Sequence, residues 1–137
     1  MKSEINVKWG GKMTFTADIE GHKIIVDASE DVGGENNGPR PKPLLMASLA
    51  GCTGMDVVSL LNKMRVEYNS FNIRVEGDLS EEHPKKYNQI KLIFELEGNN
   101  IDREKVEKAV KLSEEKYCGV WATLKDSVKV SYEIVIS

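Results

Sequence analysis

Apolar and polar residues alternate through the first part of the chain, and this predicts three short strands. The alternation covers residues 5–9, 13–17 and 22–27, with glycine-containing turns at residues 10–11 and 20–21. A repeat of two places one face of a strand against a core and the other in water. The pattern therefore predicts an N-terminal antiparallel meander.

A loop rich in glycine, asparagine and proline follows at residues 28–40, and the pattern then becomes helical from Leu44 to about Arg65. Pro43 stands where the helix begins, a position that tolerates proline because its missing N–H would have no partner there. No charged residue occurs between Leu44 and Met55, so this half of the helix is apolar on every side. Such a helix is expected at the centre of a fold.

Alternating patterns in residues 71–79, 90–96 and 128–136 predict three further strands. Between the last two, a charged amphipathic helix is expected from Asp102 to about Cys118, with Asp102 as its N-cap and Gly119 as its end. The order of three strands, helix, two strands, helix and strand predicts an α+β protein built on antiparallel sheets. The 137 residues fit a single domain, residues 1–137.

Composition narrows the range of functions. A net charge of -3 gives no electrostatic reason to expect nucleic acid as a partner, and no glycine-rich phosphate motif is present. Residues 1–4 lead directly into a strand pattern, so no secretory signal is expected. The longest uncharged run, residues 43–55, is too short to span a bilayer. The cytosol is the expected compartment.

Two cysteines, Cys52 and Cys118, are the candidate chemical groups. In a reducing cytosol such a pair is seldom a permanent structural disulfide. No metal site is expected, because the thiols and the separated His22 and His83 lack the close spacing of zinc ligands. No bound cofactor is expected either.

Each candidate residue has a functional and a structural interpretation. Cys52 lies between Gly51 and Gly54, whose small size would let a ligand or subunit approach, although a free cysteine is often simply a buried apolar residue. Cys118, at the expected C-terminus of a helix, suits a second, resolving thiol, because the helix dipole there disfavours a thiolate. Arg40, held between two prolines, could favour a thiolate and hold a peroxide oxygen, or be a solvated loop residue.

Two segments together resemble the signatures of one family. Residues 38–57 read GPRPKPLLMASLAGCTGMDV, which resembles the central helix of the OsmC/Ohr superfamily, nearest to the branch that reads LAGCT-x-x-D-V. Residues 117–120, YCGV, resemble its second cysteine motif. The predicted order of strands and helices also matches the family over essentially the whole chain.

The resemblance implies an OsmC/Ohr-like fold, with antiparallel sheets wrapped around two long central helices in an intertwined homodimer. It also implies a stress-defence activity in which Cys52 attacks an organic hydroperoxide, Cys118 resolves the sulfenic acid to a disulfide, and a dithiol reductant regenerates the pair. The Ohr branch activates its cysteine with an arginine from the N-terminal hairpin and a glutamate at the start of the central helix. Here Lys12 follows the glycine pair, and the helix start offers Lys42 and Pro43 with no acid. Either Arg40 or Lys12 is a possible substitute for the arginine.

Three functions remain open from the sequence. The leading one is thiol-dependent reduction of organic hydroperoxides by Cys52, Cys118 and Arg40. The second is a non-catalytic protein that holds an apolar ligand in a pocket at the dimer interface, which the uncharged helix and the missing acid favour. The third is a redox sensor whose oxidation alters dimer contacts.

Overall fold

The three N-terminal strands form a sheet of their own in the computed structural model, which describes residues 1–137. They are β1 (Asn6–Trp9), β2 (Phe15–Ile19) and β3 (His22–Val26), paired antiparallel in that order. Gly11 and Gly21 in the two turns have φ of 103° and 82°, a region that glycine adopts without the clash of a Cβ. The predicted meander is confirmed.

Asp27 organises the loop after β3. Its buried carboxylate accepts hydrogen bonds from the backbone N–H groups of Ala28 (2.7 Å), Glu35 (3.3 Å) and Asn37 (3.0 Å) and from the Thr14 hydroxyl (3.1 Å). These bonds, above all the one from Asn37, hold the pKa of Asp27 below its usual value, against the opposing effect of burial. A carboxylate with this many donors fixes the course of the loop.

The remaining strands form a second sheet next to the predicted central helix, α1 (Pro43–Lys63). They are β4 (Ser70–Leu79), β5 (Tyr87–Glu97) and β6 (Lys129–Ile136), in the order β4-β5-β6. β4 and β5 pair antiparallel, whereas β5 and β6 pair parallel. The α+β class is confirmed, but the expectation of purely antiparallel sheets is wrong for this pair, because a helical crossover returns the chain to the same end of the sheet.

The crossover differs from the single helix that the sequence predicts. Asp102 caps α2 (Arg103–Leu112) as expected, accepting from the backbone N–H groups of Glu104 and Lys105. The chain then widens into a π-helical turn (Ser113–Tyr117), becomes extended at Cys118, and begins a short helix, α3 (119–124). The region 121–124, expected as a short turn of structure, belongs to α3.

One face of α1 packs in the core of the second unit. Its buried residues recur every four positions, which places them along one stripe of the helix: Leu49, Thr53, Val57 and Leu61. The opposite face is open in the single chain, where Met55 is 76% exposed. The sequence predicts a helix at the centre of the fold. In the single chain this is confirmed for the face of α1 that packs in the core, whereas the opposite face is exposed.

The chain separates into two compact units, Met1–Leu45 and Met46–Ser137. The prediction of one domain over residues 1–137 stays a prediction. By length and composition alone α1 could cross a membrane, a test that the core helix of a water-soluble protein also passes. The cytosolic location likewise stays a prediction.

Candidate thiol site

The two cysteines come together in the second unit. Cys52 lies in the third turn of α1, and Cys118 lies in the bend between the π-helical turn and α3. Their sulfur atoms and a carboxylate oxygen of Asp56 all lie within 4.8 Å of one another. The two thiols that the sequence singles out therefore lie near each other, and a disulfide between them stays a prediction.

Cys118 is the enclosed member of the pair. Its side chain is 3% exposed, and its sulfur accepts hydrogen bonds from the Thr53 hydroxyl and from the Trp121 backbone N–H, each 3.3 Å long. Cys118 ends the helical run that begins at Arg103, as the sequence predicts, and the Trp121 bond also makes it the N-cap of α3. Gly119, expected as a helix terminator, is instead the first residue of α3.

Burial is the main reason that the pKa of the Cys118 thiol is raised. The hydrogen bonds from Thr53 and Trp121 act in the opposite direction, while the neighbouring Cys52 adds to the rise. Cys118 is therefore a thiol at neutral pH. Cys52 is half-buried, so a small molecule reaches its sulfur more readily than that of Cys118. The division into an attacking and a resolving cysteine stays a prediction.

Asp56 is a member of the site that the sequence reasoning missed. It lies one helical turn after Cys52, and its Oδ2 accepts a hydrogen bond of 2.8 Å from the hydroxyl of the fully buried Ser113. No basic side chain is hydrogen-bonded to this carboxylate or to either sulfur. The spacing of Cys52 and Asp56 could have indicated this carboxylate, because residues four apart share one helix face. The family comparison pointed only to an acid at the start of α1.

Arg40 lies in the first unit, where its own loop engages it. The guanidinium donates to the carbonyl oxygens of Asp27 and Gly38, each at 3.1 Å, and to the side-chain oxygen of Asn36. Gly38 is required there, because a Cβ would lie 2.3 Å from the carbonyl oxygen of Ile25. The side chain is thus held by the loop, and its action on Cys52 stays a prediction. So does that of Lys12, which is exposed.

An open apolar groove lies between α1 and β4, and Cys52 is not among its lining residues. Gly51 has no atom within 4 Å of an added Cβ, whereas a Cβ on Gly54 would lie 3.0 Å from the side chain of Ile73. The apolar residues of the groove come from α1 and β4: Ala50, Gly51, Gly54, Met55, Val58, Phe71 and Ile73. A Cβ at Gly51 would stand in open space, so a ligand or a second chain can approach this surface.

Several known proteins are similar to this chain in sequence and in fold. The sequence profile described as OsmC-like protein matches residues 34–133. Protein YhfA of Escherichia coli K12 is 32% identical over 135 residues, covering 96% of this chain and 98% of its own. The crystal structure of a hypothetical protein from Aquifex aeolicus VF5 is similar over 100% of this chain and 99% of its own, with 33% identity and a TM-score of 0.83.

A solved structure with lower sequence identity has a similar fold. The organic hydroperoxide resistance protein OhrB of Bacillus subtilis is 18% identical and covers 98% of both chains with a TM-score of 0.65. At that identity the likeness concerns the fold alone. Together with the profile match and the two closer relatives, the arrangement of sheets, central helix and paired cysteines shows that the chain belongs to the OsmC-like family.

Proposed function

We propose that this protein is a cytosolic thiol peroxidase that reduces organic hydroperoxides in stress defence. The observation that carries the proposal is the meeting of a partly buried thiol, a buried thiol and a carboxylate within 4.8 Å. A thiolate is the nucleophile in such chemistry, and a second thiol beside it makes the oxidation reversible.

The proposed reaction has three steps. The Cys52 thiolate attacks the terminal oxygen of the hydroperoxide and the O–O bond breaks. Cys52 becomes a sulfenic acid, and the alkoxide leaves as the alcohol after taking a proton from water. The sulfur of Cys118 then attacks that of Cys52, forming a disulfide and releasing water. A dithiol co-substrate reduces the disulfide and is itself oxidised, which returns both thiols.

Asp56 is the candidate proton acceptor for the second step. Cys118 is held as a thiol by burial, so it must lose a proton as it attacks. The Asp56 carboxylate lies within 4.8 Å of both sulfurs, a separation that one water can bridge, and Ser113 fixes its orientation. It can take the proton from Cys118 and deliver it to the hydroxide leaving Cys52.

A homodimer is part of the proposal. Large apolar side chains are exposed on the N-terminal sheet and on the open face of α1, including Trp9 at 62% and Met55 at 76%. Extended apolar surface of this kind is typical of a surface that another chain covers. Arg40 is proposed to act on the peroxide or on the Cys52 thiolate in that assembly.

The test replaces each cysteine by serine and follows cumene hydroperoxide consumption with a dithiol reductant. Cys52→Ser removes the nucleophile, so consumption should fall to the rate without protein. Cys118→Ser should still react once and accumulate a sulfenic acid that a dimedone probe traps. Consumption by Cys52→Ser at the wild-type rate would overturn the mechanism.

The groove favours a second candidate, a protein that carries an apolar molecule. Its open apolar residues beside α1 would contact an acyl chain without any thiol chemistry. Native mass spectrometry of the purified protein distinguishes the two. A bound apolar ligand together with thiols that peroxide leaves unchanged would select the carrier.

A further inference from the structure

Two sulfur atoms and one carboxylate oxygen form a compact set of ligands for a thiophilic metal. Tetrahedral zinc has Zn–S distances of about 2.3 Å and Zn–O distances of about 2.0–2.2 Å, which places its ligand atoms roughly 3.5–3.8 Å apart. The ligand atoms of Cys52, Asp56 and Cys118 already lie within 4.8 Å of one another. The atoms must therefore approach one another by up to about 1 Å when a metal binds.

Neighbouring groups already orient two of these three ligands. The Thr53 hydroxyl and the Trp121 N–H both donate to the sulfur of Cys118, and the Ser113 hydroxyl donates to the carboxylate of Asp56. Donors of this kind hold metal ligands in place and stabilise their anionic forms. Thr53, Ser113 and Cys118 are all buried, so the arrangement is more rigid than a cluster of surface acids.

No basic side chain competes for these ligand atoms. None is hydrogen-bonded to the carboxylate of Asp56 or to either sulfur. A divalent cation that binds here would therefore displace the thiol protons and not a protein cation.

We infer that Cys52, Asp56 and Cys118 form a binding site for a thiophilic divalent cation such as Zn²⁺. Three protein ligands leave one coordination position for water, and Cys52 is less buried than Cys118. Binding releases the thiol protons and occupies both sulfurs, so the metal-bound protein cannot attack a peroxide. This goes beyond the proposed function, because it gives the same thiols a second, mutually exclusive state.

The inference departs from the sequence-based expectation of no metal site. That expectation rests only on the spacing of the cysteine and histidine residues along the chain. Cys52 and Asp56 are four residues apart on one face of α1, the spacing that helical metal ligands use, and folding brings Cys118 to them. The site becomes visible only when the carboxylate is counted and the crossover is in place.

The test titrates the full-length, fully reduced, metal-free protein with Co²⁺ and then displaces the cobalt with Zn²⁺. Co²⁺ bound to thiolate gives a charge-transfer absorption band, so one equivalent per chain should produce it. Cys52→Ser should abolish the band, and protein oxidised to the disulfide should not produce it. Absence of the band in the reduced wild-type protein overturns the inference.

Two conservative variants separate this site from a simple pair of thiols. Zn²⁺ affinity, measured against a chromophoric chelator, should fall at least about tenfold in Asp56→Asn and about 10–100-fold in Ser113→Ala. The matched controls Asp78→Asn and Ser131→Ala change exposed residues outside the site and should bind as the wild type does. Equal affinity in Asp56→Asn and Asp78→Asn would overturn the three-ligand site. Peroxide consumption by metal-free protein is a separate measurement, so the peroxidase proposal and the metal inference can fail independently.

Discussion

Asp27 and Asp56 are two shielded carboxylates with opposite surroundings. Asp27 accepts three backbone N–H bonds and one hydroxyl bond, all from the loop that it organises or the turn beside it. Asp56 accepts one bond, from Ser113, and lies beside two sulfur atoms. The first carboxylate is saturated with donors, whereas the second keeps acceptor capacity free.

This difference in hydrogen bonding distinguishes a carboxylate that stabilises the fold from one that can take up a proton or bind a cation. A carboxylate that already has several donors gains little from a proton or a metal, because either would displace existing hydrogen bonds. A carboxylate with a single orienting donor can take up a proton or a cation while that donor stays in place. In this chain the number of donors therefore identifies Asp56, and not Asp27, as part of the reactive site.

The largest expected effect comes from Asp56→Asn. Loss of the proton acceptor should slow disulfide formation after peroxide addition by about a hundredfold, the usual contribution of a positioned general base. The amide keeps an oxygen for Ser113, so the free energy of unfolding should change by less than about 1 kcal/mol. Rapid acid quench followed by mass spectrometry measures the rate. An unchanged rate would place Asp56 with Asp27 as a purely structural acid.

Asp27→Asn should show the reverse pattern, a loss of stability with little change in disulfide formation. Because folding lowers the pKa of Asp27 from 3.8, its contribution to stability is complete above that unfolded value and is lost as the pH falls through the folded value. Urea unfolding should therefore show the variant less stable than the wild type at pH 7. The difference in the free energy of unfolding between the two proteins should become smaller in acid. A difference that does not change with pH would contradict this account.

The smallest effect is expected from Thr53→Val, which removes one of the two donors on Cys118 while keeping the shape of the side chain. The lost bond is worth about 1 kcal/mol, so the pKa of the Cys118 thiol should rise further and disulfide formation should slow by up to about tenfold. The same quench experiment measures it. Faster disulfide formation would show that the donor does not act on the thiolate.

Local patterns in the sequence predicted most of the fold. Strand alternation located the meander and residues 90–96, and the N-cap at Asp102 was correct, because these features depend on neighbouring residues. The parallel pairing of β5 and β6 and the extended conformation of Cys118 depend on how the crossover packs. No pattern confined to a short stretch of sequence contains that information.

The candidate site, like the fold, could be predicted only in part. Its two cysteines were identified from the sequence because their flanking motifs are distinctive. Asp56 lies within one of those motifs, but its role becomes apparent only when Ser113 and Cys118 are brought to it from the crossover. The donors on Cys118 could not be predicted, since one is the backbone N–H of Trp121 in a helix that the sequence indicated only as a short turn of structure.

The most direct test of the central claim is to map the products after one equivalent of cumene hydroperoxide is added to the reduced protein. Working as one unit, the two thiols should give a single disulfide between Cys52 and Cys118 of the same chain, found by non-reducing peptide mass spectrometry, with an equivalent of alcohol released. Two free thiols and unconsumed peroxide after that treatment would contradict the account.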